Sequence, residues 1–321
     1  LKKRLQICAV LATLALLLSG GAAGAADGTV LKTFSTRDGL PNDWVKAIST
    51  PGGKVCVTAG DAARGGSVLY DAPEGKFRPF VPGDGFRGSR VTSWVDFGGK
   101  SYVATEAALN VGGEGSWTAL DRFETVQHTE ELLFPAGSLL YAVAPVMYGG
   151  VLRFDGKGWS IVDRGRGTGI MNNATSLATK GEQLYIGTTT NGLFHFDGKG
   201  WKVVGTDQGL PSPWVTSVAV DAEGSVWLGT IGGLGLYDGD KVRLFGTGDG
   251  LASNKVSALK VIKDKLVVGT MDQGVSIRLR NQFINVGPAE GLSDGRVTAL
   301  AASEEGAWVG TVNGLNLVEV R

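Results

Sequence analysis

Residues 209–250 read GLPSPWVTSVAVDAEGSVWLGTIGGLGLYDGDKVRLFGTGDG. Four short apolar runs stand in this stretch, at 215–220, 225–229, 234–237 and 242–245. Asp-Ala-Glu-Gly, Gly-Gly and Asp-Gly-Asp punctuate them. These residues make tight turns because glycine accepts positive φ and aspartate bonds its own backbone. No apolar stripe recurs at helical spacing. The reading is four short strands folded back and forth into one antiparallel sheet. Such a sheet cannot bury both faces alone, so it has to stack on others like it.

The rest of the chain supplies the copies. The Gly-Leu opening recurs as Gly39-Leu40, Gly85-Phe86, Gly169-Ile170, Gly250-Leu251 and Gly291-Leu292, with a degraded form at Arg122-Phe123. The second strand has an anchor column of Cys56, Tyr102, Tyr141, Tyr185, Trp227, Val267 and Trp308, spaced 39 to 46 residues apart. Four copies continue into Gly-Thr, at Gly187, Gly229, Gly269 and Gly310. FDGKGW occurs at 154–159 and again at 196–201. Seven units of about 42 residues have the period of propeller blades. The fold class is therefore all-β, a seven-bladed propeller of four-stranded antiparallel blades. The column aromatics read as core between blades, and the glycines after them as points of close approach. The last unit has only three strands, at 297–301, 307–310 and 315–318, while residues 30–35 look like a lone fourth. Pairing the two would close the ring and leave only short edges.

Composition agrees. There are 51 glycines in 321 residues, about twice the usual share. Lys and Arg total 31, as do Asp and Glu, so no field draws the chain to nucleic acid. The first 26 residues read differently from the rest. Lys2, Lys3 and Arg4 precede an apolar run at 7–18, and Ala23-Gly24-Ala25-Ala26 offers small-residue cleavage chemistry. This is the pattern of a secretory signal peptide, with an apolar run too short to span a bilayer. Two regions follow: a signal peptide at 1–26 and the propeller at 27–321, periplasmic or secreted and with no membrane insertion after cleavage. Removal of the leader leaves Cys56 alone, a small buried apolar residue with no disulfide partner.

The repeat D-G-L-P-x-x-x-V, then G-x-[VL]-W-[VL]-G-T, then G-L-x-x-[YF]-D-G resembles the two-component regulator propeller repeat. It is carried by Asp38-Gly39-Leu40-Pro41, by Trp227-Leu228-Gly229-Thr230 and by Gly192-Leu193-Phe194-His195-Phe196-Asp197-Gly198. The resemblance covers 29–321, most strongly 180–321. It weakens over 84–165, where Ala104-Thr105 and Val143-Ala144 replace Gly-Thr. What it implies is the exported sensing part of a bacterial hybrid sensor kinase, often tied to polysaccharide detection. No kinase domain or membrane helix follows before Arg321, so the expectation is a monomeric sensor-type propeller without its own output domain. Its partner would be a small molecule or saccharide, or another exported protein such as a sensor kinase.

A lyase similar to virginiamycin B lyase is the enzymatic alternative, and it requires a histidine base with metal-binding carboxylates. Only His128 and His195 exist. His195 falls mid-strand, whereas His128 falls in a loop beside Glu130 and Glu131. That grouping could bind a cation, but it reads first as a charged, solvated loop. Haem-attachment, P-loop and EF-hand patterns are missing, and the Gly-Lys-Gly turns read as hairpin tips. The expectation is no catalytic residue, no metal and no cofactor.

In such a propeller the loops leading into the innermost strands ring one mouth of the central channel. The residue just before each innermost strand is Trp44, Arg90, His128 or Thr129, Asn173, Trp214, Lys255 and Arg296. Loops joining second to third strands add Asp61, Arg64, Glu106, Tyr148, Asn191, Asp272, Gln273 and Asn313. Tryptophan faces stack on sugar rings, and arginine grips carboxylate or sulfate in bidentate fashion. An acidic saccharide fits this column, and so does an acidic loop of a partner protein. The opposing expectation is that these cations pair with Asp61, Glu106 and Asp272 while the tryptophans pack under loops.

Overall fold

A computed structural model describes residues 26–61, 63–113, 115–120, 132–144, 150–163, 174–280 and 282–321. Its strands form seven four-stranded antiparallel sheets arranged as a ring, and helical structure among the described residues is confined to short 3₁₀ turns. The blades occupy residues 45–79, 91–120, 132–163, 174–204, 215–245 and 256–286, and the seventh combines 297–319 with 30–34. Where the sequence reading placed strand ends in the repeat at 209–250 and in the last unit, the observed ends differ by at most one residue. The signal-peptide segment 1–25, the Arg122-Phe123 and Gly169-Ile170 loops, His128, Thr129, Tyr148 and Asn173 lie outside the described residues.

Ring closure follows the expected route. Val30–Phe34 pairs antiparallel with Gly314–Glu319 and becomes the outermost strand of blade 7. Phe34 plugs the seam with blade 1: it is buried, with ring centroids 5.3 Å from Tyr70, 5.4 Å from Phe77 and 5.6 Å from Trp308.

The blades interlock by a device that repeats. The anchor column is buried throughout, from Val267 at 0% exposure to Tyr102 at 5%. Two residues after the anchor, a Cβ on Gly187, Gly229, Gly269 or Gly310 would sit 2.5–2.8 Å from a valine methyl of the next blade. Those methyls belong to Val215, Val256, Val297 and Val45, the first residue of each following inner strand, so glycine is required for the approach. Threonine hydroxyls then cross the seam. Thr175 donates to the Val215 carbonyl (2.7 Å), Thr216 to Val256 (2.9 Å) and Thr298 to Val45 (2.7 Å). In blade 1 that position is Lys46, and Thr58 on the neighbouring strand makes the crossing to Val91 instead (2.6 Å). Cys56 is buried in its seam, and burial pushes its thiol pKa up to about 12, so no thiolate forms at neutral pH.

Candidate functional site

The Gly-Leu loops share one construction. A 3₁₀ turn ends at Gly39, Gly209, Gly250 or Gly291, each with φ between 96° and 101°, where an L side chain would be strained. The residue before the glycine caps the turn: Asp38, Gln208, Asp249 and Glu290 each accept the backbone N–H three residues earlier at 2.8–2.9 Å. The leucine that follows is buried as an anchor. Two residues later a side-chain oxygen turns the chain again. Asn42 accepts from the Trp44 N–H, Ser212 from Trp214, Ser253 from Lys255 and Asp294 from Arg296, at 2.8–3.2 Å. In blades 1, 5, 6 and 7 this second turn fixes the residue in front of the inner strand and holds it outward. Trp44 is 45% exposed and Trp214 41%, although both are tryptophans flanked by buried valines. Lys255 and Arg296 are exposed as well, and Arg90 is half-buried.

The second loop set lies on the same face. Backbone bonds join Gly192 to Pro213 (2.9 Å), Gly274 to Gly295 (2.8 Å) and Gly314 to Asp43 (2.6 Å), each linking one blade's second loop to the next blade's lead-in loop. At these three seams the two sets therefore form one rim.

Charge on this rim is largely matched. Arg296 forks Asp294, Nε to Oδ1 at 2.9 Å and Nη2 to Oδ2 at 2.8 Å. That contact is the main reason the Asp294 carboxyl is held below its ordinary pKa. Lys255 reaches Asp272 at 3.1 Å. Ser253, and then Lys255, hold the Asp272 carboxyl low. The opposing expectation was thus right for Lys255, while Arg296 uses a carboxylate of its own loop. Glu106 serves backbone rather than a cation, accepting from the N–H groups of Ser89 (3.0 Å) and Arg90 (2.9 Å) and from the Ser89 hydroxyl (2.9 Å). Burial raises its pKa, but these donors together outweigh it and the net shift is downward. Asp61 likewise caps the Ala63 and Arg64 N–H groups, both at 2.9 Å, and its pKa is lowered by them. The Arg90 guanidinium has no acidic partner among the described residues.

Two rim residues escaped the sequence reading. Lys46 lies over the Trp44 ring at 4.3 Å, a cation–π pair in the slot that blades 2, 4, 5, 6 and 7 give to threonine or serine. Ile231, 37% exposed, adds an apolar patch to blade 5 beside Trp214. Aligning the second residue of each inner strand would have revealed Lys46. His195 is only 8% exposed, in the third strand of blade 4, stacked on Tyr185 at 4.5 Å and away from the rim. Among the described residues, no three His, Cys, Asp or Glu side chains are grouped to hold a metal. No helix there is long and apolar enough to cross a membrane.

Comparison with known proteins supports the repeat. Residues 209–232 match the family described as two component regulator propeller. No curated protein matches the chain. Among solved structures, it is similar to the extracellular domain assigned to the hybrid two component system BT3049 from B. thetaiotaomicron, at TM-score 0.73 and 18% identity over 90% of this chain and 42% of that one. The extracellular domain of BT4673 from the same organism gives TM-score 0.65 and 19% identity, covering 92% and 40%. A catalytically inactive virginiamycin B lyase from Staphylococcus aureus, bound to quinupristin, gives 0.58 and 10% over 90% of this chain and 99% of that one. The chain thus spans about two fifths of the two extracellular domains. Identities this low establish the fold alone.

Proposed function

We propose that this chain is the ligand-binding part of an exported, sensor-type system and that it takes up a saccharide at the channel mouth. The observation that carries the reading is the shared loop construction, which spends four hydrogen-bonded turns on holding Trp44, Trp214, Lys255 and Arg296 out into solvent. Tryptophans held open at 41–45% exposure supply flat apolar faces without a folding role of their own. Arg90, with no acidic partner among the described residues, is the cation ready for a carboxylate or sulfate, and Arg296 and Lys255 join by exchanging Asp294 and Asp272 for the ligand. Asn173 and His128 complete the proposed ring of contacts on blades 4 and 3. The similarity to extracellular domains of two component systems supports an exported sensor, and the signal-peptide pattern at 1–26 agrees with it. An acidic loop of a partner protein would use the same contacts. Packed among tyrosines rather than aimed into the mouth, His195 does not supply the base of the lyase reading, which then rests on His128.

The test is a glycan array probed with wild type, Trp44→Ala/Trp214→Ala and Arg90→Ala/Arg296→Ala. Wild type should retain acidic oligosaccharides, and both double variants should lose them while keeping the wild-type melting profile. Retention by both variants would remove the site from the mouth. Turnover of a retained glycan, abolished by His128→Ala, would replace binding with catalysis.

A further inference from the structure

On the face opposite the mouth, where first-to-second and third-to-fourth strand turns lie, blades 2 and 3 leave a cleft of about 730 Å³ between them. Its origin is visible by comparing equivalent seams. In the seam between blades 4 and 5, His195 pairs across its sheet with Tyr185 and Lys202. The His195 ring fills the gap, stacked on Tyr185 at 4.5 Å and edge-on to Tyr237 at 5.8 Å. Lys202 then closes the outside by bonding the Gly239 carbonyl at 2.9 Å. Between blades 5 and 6 another flat group, the Arg278 guanidinium, lies 4.7 Å from the Trp227 ring.

Blade 2 keeps the walls of this arrangement and lacks its histidine, although Phe97 packs edge-on to both walls, 6.2 Å from Tyr102 and from Phe154. Tyr102 stands where Tyr185 does, and Phe154 of blade 3 where Tyr237 does, with centroids 5.7 Å apart. The His195 position is Val111 and the Lys202 position is Thr118, neither of which spans the gap. Trp159 extends the aromatic wall, its ring 5.0 Å from that of Phe154. Lys100 and Lys157 stand exposed at the opening. Asp155, the nearest carboxylate in sequence, is turned onto the N–H groups of Lys157 (2.9 Å) and Gly158 (3.0 Å).

We propose that this cleft is a second binding site, for a flat ring carrying an anionic substituent, held between blades as the fold holds its own His195 ring. The ring stacks against Phe154 and Trp159, both half-buried beside the buried Tyr102, where an aromatic or sugar face displaces water from apolar surface. The anion meets two ammonium groups at the opening. The volume lies in the range of small-molecule pockets. The site shares no residue with the mouth and does not depend on what the mouth binds.

Two probes separate the sources of such a ring: digalacturonate for an acidic sugar, 4-hydroxybenzoate for an aromatic acid. Each is titrated calorimetrically into the full chain and into four variants. Val111→His rebuilds the filling of the blade 4 seam, and Thr118→Lys, at an exposed position, rebuilds its closure without touching the core. At least one probe should bind wild type. Either of these substitutions should weaken it by more than about tenfold, and Lys100→Ala/Lys157→Ala by about tenfold. The part of the binding that these substitutions remove should survive Trp44→Ala/Trp214→Ala, which takes away only digalacturonate held at the mouth. Absence of binding by both probes overturns the proposal. So does binding that Val111→His and Thr118→Lys both leave at the wild-type level, or 4-hydroxybenzoate binding that is lost with the mouth tryptophans.

Discussion

Ring closure by the N-terminal strand makes Phe34 the residue whose loss should be felt most for its position. It sits near the chain's beginning, in a strand whose other members are half or fully exposed, yet it is 5% exposed among Tyr70, Phe77 and Trp308. Phe34→Ala removes a ring from a seam built of rings, and the cavity cannot collapse because both blades are fixed by their own sheets. Truncations of this kind cost about 3–5 kcal/mol. At about 2 °C per kcal/mol for a chain of this length, the melting temperature should fall by roughly 6–10 °C. Scanning calorimetry of wild type, Phe34→Ala and the control Val203→Ala measures this, since Val203 is 50% exposed on another outermost strand. The control should melt with wild type. Deleting 30–34 should do more than Phe34→Ala, exposing the edge of Gly314–Glu319 to aggregation. If Phe34→Ala melts within a degree or two of wild type, the N-terminal strand does not hold the ring.

Gly310→Ala places a Cβ 2.5 Å from the Val45 methyl and should destabilise by about 1–3 kcal/mol, whereas Gly200→Ala, with open space around it, should melt like wild type. Burial holds the His195 imidazole below its ordinary pKa of 6.5, so the unfolded chain takes up a proton that the fold resists. Stability should therefore decline as pH drops below about 6.5, through the window down to the folded-state pKa, and His195→Gln should flatten that limb in denaturant titrations. Asp294→Asn releases the Arg296 guanidinium from its bidentate partner and should strengthen retention of an acidic glycan several-fold at low salt; weaker retention would show that the pair itself is the recognition element.

The fold was legible because each of its devices is a local sequence feature repeated at a fixed period. Trp227-Leu228-Gly229-Thr230 records an anchor, a close approach and a turn-closing hydroxyl within four residues, and the three-strand last unit advertised its missing fourth. The presenting positions could be found by counting back from the buried valines. Their electrostatic state could not. Whether Arg296 meets Asp272 or Asp294 depends on a loop turn that brings a carboxylate two residues away into fork geometry. The cleft between blades 2 and 3 was hidden for a related reason. Val111 and Thr118 are ordinary strand residues, and their smallness matters only opposite Phe154 and Trp159 of another blade. Asn173 and His128 rest on counting alone.

Eight tryptophans report on the chain from separate places, and their indole N–H resonances can be assigned by substitution one at a time. Adding an acidic oligosaccharide identified on the array should shift the Trp44 and Trp214 signals saturably and together. The signals of Trp227 and Trp308, buried in the seams, should stay in place. If Trp44 and Trp214 do not move while the glycan binds, or only Trp159 responds, the channel mouth is not where this propeller takes its ligand.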